Sequence, residues 1–286
     1  MNSALLALGA IVLWSTNAIV AQFALGALQV EQVQLLQFAG ATAVFLVAKL
    51  LTGNTGGGSI ATGALLGLVG ITGTMVFQYL AFAAGPIAEV NIVAYAWPLM
   101  AALIFIAVGK AERPLCFASL TLLGFIGAAL VILRDADGIH LSKLGSGHIW
   151  ALASAFCMAS YSAAIGRVKC DQHTAHLAGS LAGLAIAGLW CVMAGYSIPD
   201  PGSISFWLAL YLGAGPIGIG YLLWAWAMRT DTAGRLESIG YLTPVSSTML
   251  LMLSGVVMGP IAILGSVIVI TCCAAIGIEA QRHVRV

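Results

Sequence analysis

Two short stripes of residues stand out in an otherwise apolar chain. Asn91, Tyr95 and Pro98 are spaced i, i+4, i+7, which places them on one helical face, and Glu237, Tyr241 and Pro244 repeat that spacing 146 positions later. A proline inside a helix removes one N–H and leaves the carbonyl four residues earlier unpaired, here those of Ala94 and Gly240. In a bilayer such a carbonyl is tolerated only where protein, water or a ligand satisfies it. Two tyrosines beside two freed carbonyls make a binding surface for a polar solute with a flat face, with Pro98 and Pro244 as hinges. The plainer alternative is that both prolines merely kink packed helices.

Further candidates follow from depth and spacing. Trp14 and Asn17 lie one turn apart in the first apolar run, and Met158 and Tyr161 share that spacing in the sixth. A mid-depth asparagine needs a partner, so Asn17 is expected to face the bundle interior. Gln78 and Tyr79 toward the outer end of the third run, and Tyr221 and Trp224 toward the inner end of the eighth, are placed to close the two mouths of a cavity. Trp150 and Trp207 suit interfacial anchoring, whereas the depth of Trp14, Tyr95 and Trp97 argues against it.

Bond-making chemistry has no candidates. There is no HExxH, no mid-span acidic pair and no serine and histidine at one depth. The carboxylates gather at run ends, and His140, His148, His173, His176 and His283 fall in loops or at run edges, where a solvated or interfacial setting is expected. Cys116, Cys157, Cys191, Cys272 and Cys273 lie inside apolar runs with no CxxC or Cys/His cluster, as small hydrophobes do. No catalytic residue, metal or cofactor is implied, and a strongly ion-coupled pump has few groups to use.

The elements that position these residues follow from composition. Of 286 residues 61% are hydrophobic and 7% charged, against roughly 25% charged in soluble proteins. The partner of such a chain is the lipid bilayer; soluble enzymes are excluded, and a net charge of +1 offers nothing to nucleic acid. The first run has no basic segment before it and is long enough to span, so it is expected to stay in the mature protein. Spans of about 20 residues are expected over 3–25, 33–51, 60–83, 87–108 and 115–133, then over 147–168, 174–194, 205–227, 236–257 and 261–278. With the N-terminus inside, Lys49, Lys110, Arg113, Arg167, Lys169, Arg229, Arg235, Arg282 and Arg285 all fall on the inner side. Only Arg134 and Lys143 fall outside, so both termini are expected in the cytoplasm.

The two stripes belong to a faint repeat, since Tyr95, Pro98, Gly109 and Pro114 recur as Tyr241, Pro244, Gly255 and Pro260 without a gap. The stretch from Arg134 to Ser146 divides the chain into 1–138 and 139–286. An odd number of spans in each half makes the second enter the membrane in the opposite sense. The fold expected is an all-α integral membrane protein of ten transmembrane helices in two inverted five-helix repeats, with no soluble domain. Glycines such as Gly63, Gly67, Gly70 and Gly73 serve close helix packing.

Ala94-Tyr95-Ala96-Trp97-Pro98, Glu112 at the end of the fourth span and Gly124 twelve residues later resemble the drug/metabolite transporter superfamily. Leu13-Trp14-Ser15-Thr16 and Tyr241-Leu242-Thr243-Pro244-Val245 add to the resemblance, which covers the whole chain. It implies an exporter of small metabolites in a bacterial inner membrane, with a central cavity shared by two inverted halves. One departure is that Met258 stands in the second half where Glu112 stands in the first. The function expected is export of amino acids, aromatic ones first, by alternating access through an aromatic-lined cavity. The alternatives are a drug, nucleobase or sugar exporter of the same architecture, and a channel-like membrane subunit. A small-molecule substrate is the partner; the oligomeric state is open, and a monomer is compatible with the residues.

Overall fold

A computed structural model describes residues 3–53, 57–85, 87–109, 113–132, 145–229, 236–252 and 259–284, with the backbone alone at 87–89, 248, 251–252 and 277–284. Lys110, Glu112, Arg134, His140, Lys143, Asp231, Arg235, Gly255, Met258, Arg285 and the 138/139 boundary lie outside the described residues, as do the side chains of Glu89, Glu279, Arg282 and His283.

Backbone polar groups in a bilayer must be satisfied within the segment, and the helix is the local way to do it. Every element among the described residues is helical and none is a strand. Eight segments are long and apolar enough to cross a membrane: α1 (Ser3–Leu25), α2 (Val30–Thr52), α3 (Ile60–Ala84), α4 (Val90–Ala107, continuing a turn from Ile87), α5 (Pro114–Ile132), α6 (Ser146–Ile165), α7 (Gln172–Ala194) and α8 (Ile204–Met228). Two more helical segments follow, α9, in which a 3-10 turn Leu236–Tyr241 runs into an α-helix Leu242–Met252, and α10 (Pro260–Val284).

Polar residues set the starts. Ser59, Asp171 and Ser203 accept hydrogen bonds from the N–H groups of Thr62, Thr174 and Phe206 at 3.3, 3.1 and 3.3 Å, capping α3, α7 and α8. Gln29 and Gln32 cap α2 reciprocally, so it begins at Val30 rather than at Val33. Large apolar side chains such as Leu50, Leu115 and Val192 stay exposed on the outside, as lipid contact requires.

Two features depart from the expectation of unbroken helices. The Asn91–Tyr95–Pro98 stripe does not lie on one continuous helix: the chain turns at Tyr95 and Ala96, and Pro98 sits in the first turn of a new helix, Trp97–Ala107. Pro244 likewise sits in the first turn of Leu242–Met252. First-turn N–H groups have no intrahelical partner, so proline belongs there and starts a helix rather than kinking one. In addition, α3 contains a π-helical stretch, Leu68–Gly73, and α8 another, Gly213–Ile219, which holds Pro216.

Backbone meets backbone where each π segment begins. A Cβ on Gly67 would stand 1.8 Å from the Ala175 carbonyl oxygen of α7, and one on Gly213 would stand 1.9 Å from the Gln37 carbonyl oxygen of α2. Close approach of this kind replaces the hydrophobic driving force that lipid does not provide. Helix α2 packs along α7, and α5 along α10. The remaining six, α1, α3, α4, α6, α8 and α9, leave a cavity between them.

Candidate functional site

The base of the cavity is aromatic. Trp14 of α1 and Trp97 of α4 meet edge to face at 6.4 Å between ring centroids, and Trp224 of α8 lies 5.1 Å from Trp14 and 5.5 Å from Trp97. Tyr221 completes the group at 5.8 Å from Trp14. Buried indoles need a hydrogen-bond acceptor: Trp14 Nε1 donates to the Pro216 carbonyl at 2.9 Å and Trp224 Nε1 to Ser162 Oγ at 2.9 Å. The first of these ties the tryptophan to the π stretch of α8.

Above this base the walls carry neutral polar groups. Asn17, Thr74, Gln78, Tyr95, Ser154 and Thr243 line the cavity together with the indoles, Met75, Met158, Pro216 and Ile217. Ser154 Oγ donates to the Thr74 carbonyl at 2.9 Å, which joins α6 to α3 within the wall. The empty space between these walls amounts to about 610 Å³, open solvent included. No charged side chain is among the described lining residues. Such a surface presents hydrogen-bond donors and acceptors and stacking faces to a solute without net charge.

Seven of the twelve expected substrate-contacting residues meet on this surface: Trp14, Asn17, Gln78, Tyr95, Trp97, Met158 and Tyr221. Tyr79 faces away, fully buried among Leu36, Ala209 and Leu212, with its hydroxyl accepting from Gln37 Nε2 at 3.0 Å. Tyr161 lies behind Tyr221 and is hydrogen-bonded to His176 Nε2 at 2.5 Å. Trp224 is fully buried against Trp14 and Trp97, Asn91 is not among the lining residues, and Tyr241 is packed among Ala128, Val131 and Val269. The residues that sequence reasoning passed over are Thr74, Met75, Ser154, Pro216, Ile217 and Thr243. Thr74 with Gln78, and Ser154 with Met158, share the i, i+4 spacing, a signal that was present but is common in helices.

Over residues 145–278 the sequence matches the EamA-like transporter family. It is 31% identical over 262 residues to the aromatic amino acid exporter YddG of Ancylobacter novellus, covering 89% of each chain. The chain belongs to the drug/metabolite transporter superfamily. A solved crystal structure of a protein aligns with it at a TM-score of 0.82, with 25% identity and 98% of both chains covered. This superfamily member is therefore a multi-pass membrane transporter.

At one end of the helices an arginine lies between a ring and a buried carboxylate. Arg167, just past α6, has its guanidinium 4.3 Å from the Phe105 ring of α4, donates to the Ala163 carbonyl at 3.0 Å and faces Glu237 of α9 at 3.7 Å. Glu237 is fully buried, contrary to the setting expected of a carboxylate at a run end. The same end holds Lys49, 3.6 Å from Asp171 and hydrogen-bonded to Thr174. His173 and His176, expected to be solvated or interfacial, are both fully buried, His173 beside Thr52 and His176 stacked on Phe45 at 4.9 Å. Between α6 and α7 the Cys170 thiol is pushed above its usual range by burial and then by the Asp171 carboxylate, so it stays protonated.

Proposed function

We propose that this transporter exports amino acids, aromatic ones first, from the cytoplasm across a bacterial inner membrane by alternating access. The observation that carries the reading is the cavity: two indoles and a tyrosine at its base with a third indole buried against them, neutral amides and hydroxyls on its walls, and no charged side chain among its described lining. A zwitterionic amino acid carries no net charge, its ammonium and carboxylate need the hydrogen-bond acceptors and donors that the walls present, and its ring gains about 0.5–1.5 kcal/mol per stacked pair. Affinity of that size selects a ring without slowing release. The similarity to the exporter from Ancylobacter novellus supports the same solute class.

The architecture we infer is ten transmembrane helices in two inverted halves, 1–138 and 139–286, with both termini cytoplasmic. It is supported by paired features: π stretches in α3 and α8, helix starts at Pro98 and Pro244, and packing of α3 on α6 matched by α8 on α1. In that arrangement the Arg167 end is cytoplasmic and closed, and the Gln78 side of the cavity opens outward. A cationic-drug antiporter would want a carboxylate in the cavity to exchange a proton for its cargo, and the described lining holds none.

The test is uptake by purified protein in liposomes of tryptophan, phenylalanine, threonine, a sugar and a cationic dye. Uptake of tryptophan and phenylalanine down their gradients, with no imposed proton or sodium gradient, is expected. Uptake of the dye alone would overturn the proposal. Single cysteines at positions 95 and 241, in a background without native cysteines, test alternating access: an impermeant thiol reagent outside should label position 95 far faster, and equal labelling would indicate a continuous pore.

A further inference from the structure

The two indoles that face the cavity rest on glycine. A Cβ on Gly240 of α9 would stand 2.3 Å from Trp97 Cζ2 and 2.8 Å from its Cη2, and a Cβ on Gly220 of α8 would stand 2.8 Å from Trp14 Nε1. Both tryptophans have thus sunk onto bare backbone from the opposite half of the chain, to a depth that no other residue type at 220 or 240 allows. We propose that Gly220 and Gly240 are specificity-determining positions, which set how large a solute side chain the cavity admits without touching the solute themselves. The inference rests on the amino-acid reading given above.

The physical reason lies in where a displaced indole can go. Below Trp14 and Trp97 stands Trp224, fully buried and tied to Ser162, so neither ring has room to retreat downward. Interiors are packed to crystal-like density, and the free volume beside the two rings is the cavity. Ordinary van der Waals contact with a new methyl group requires the edge of Trp97 to rise by about 1 Å, and Trp14 by about half as much. In the case of Trp14 the same movement stretches its 2.9 Å hydrogen bond to the Pro216 carbonyl. A base raised in this way removes depth while leaving every lining group in place. The loss is felt first by a bicyclic side chain, which reaches farthest down, then by a single ring, and least by a branched aliphatic chain.

The experiment is counterflow of tryptophan, phenylalanine and leucine by the full-length protein in liposomes, comparing wild type with Gly220→Ala, Gly240→Ala and the double variant Gly240→Ala/Trp97→Phe. Gly240→Ala is expected to lower the tryptophan-to-leucine rate ratio about tenfold, the scale at which one methylene of misfit discriminates in an apolar pocket. Gly220→Ala should lower it less. Shrinking the ring at position 97 should return much of the lost ratio, which a variant damaged for other reasons would not do. The rise in unfolding temperature produced by each amino acid in detergent supplies a second readout of the same ranking. Folded glycine variants with an unchanged ratio, an equal loss for all three solutes, or failure of both glycine variants to accumulate as folded protein would each overturn the inference. Wild-type protein that moves none of the three would instead sink the amino-acid reading and the inference with it.

Discussion

Asn91, Tyr95 and Pro98 on one side, and Glu237, Tyr241 and Pro244 on the other, have the same spacing and the same helix-starting proline, yet their surroundings differ. Tyr95 lines the cavity beside Thr243, whereas Tyr241 is fully buried, its ring against Phe125 and close above Gly124. Asn91 is partly exposed, and Glu237 is sealed in and faced by Arg167. A repeated motif therefore does not carry a repeated role. What each copy does depends on whether the helices around it leave a space, and here Tyr95 borders the space while Tyr241 is packed against α5 and α10.

The contrast is sharpest at the charges. Arg167→Met takes away the cation that faces a fully buried carboxylate, and about 3–5 kcal/mol of stability is expected to go with it. Asn91→Ala, the change at the corresponding place in the first stripe, should stay within about 0.5 kcal/mol. Denaturation of the purified protein in detergent measures both, and comparable losses would break the comparison. Glu237→Gln should be milder than Arg167→Met, because Arg167 is partly exposed and keeps its Ala163 carbonyl and the Phe105 ring.

At the tyrosines, Tyr241→Ala empties a closed wall and is expected to lose about 3–5 kcal/mol, as large-to-small changes of buried aromatic residues do. Tyr95→Ala should spare stability and instead reduce tryptophan transport about tenfold, near the 1.4 kcal/mol that one good stacking contact can provide. A stable Tyr241→Ala protein with reduced transport would put that tyrosine at the solute after all. A smaller loss than at Tyr241 is expected at Gly124→Ala, whose new methyl group would stand 2.8 Å from Tyr241 Cδ2. Overpacking of that kind costs about 1–3 kcal/mol, read as a lower unfolding temperature. No loss there would mean that the ring of Tyr241 has room to move.

Much of this protein was legible in its residues. The bilayer, the helical segments, the lack of charge along the described cavity lining and the presence of Trp14, Tyr95 and Trp97 on it all follow from local quantities: the length of an apolar run, the sparseness of charge, and aromatic or amide groups set too deep for an interface. Proline positions were visible too, though their role was not. Pro98 and Pro244 begin helices because the preceding turn had already broken the ladder, and that break is a property of the packed chain.

The tertiary structure alone decided which way each side chain points. Helices that are apolar all around have no polar face to set their rotation, so periodicity does not say that Tyr221 turns to the cavity while Tyr161 turns to His176, or that Tyr79 turns to Gln37. The burial of Glu237, His173 and His176 comes from partners far along the chain, Arg167, Thr52 and Tyr161 or Phe45. The cavity itself takes residues from six helices, held in register by glycine contacts and π turns that no stretch of sequence specifies by itself. Local chemistry named the residues able to meet a solute, and only the rotation and close approach of the helices selected those that do face the cavity, because in lipid it is packing between helices that sets both.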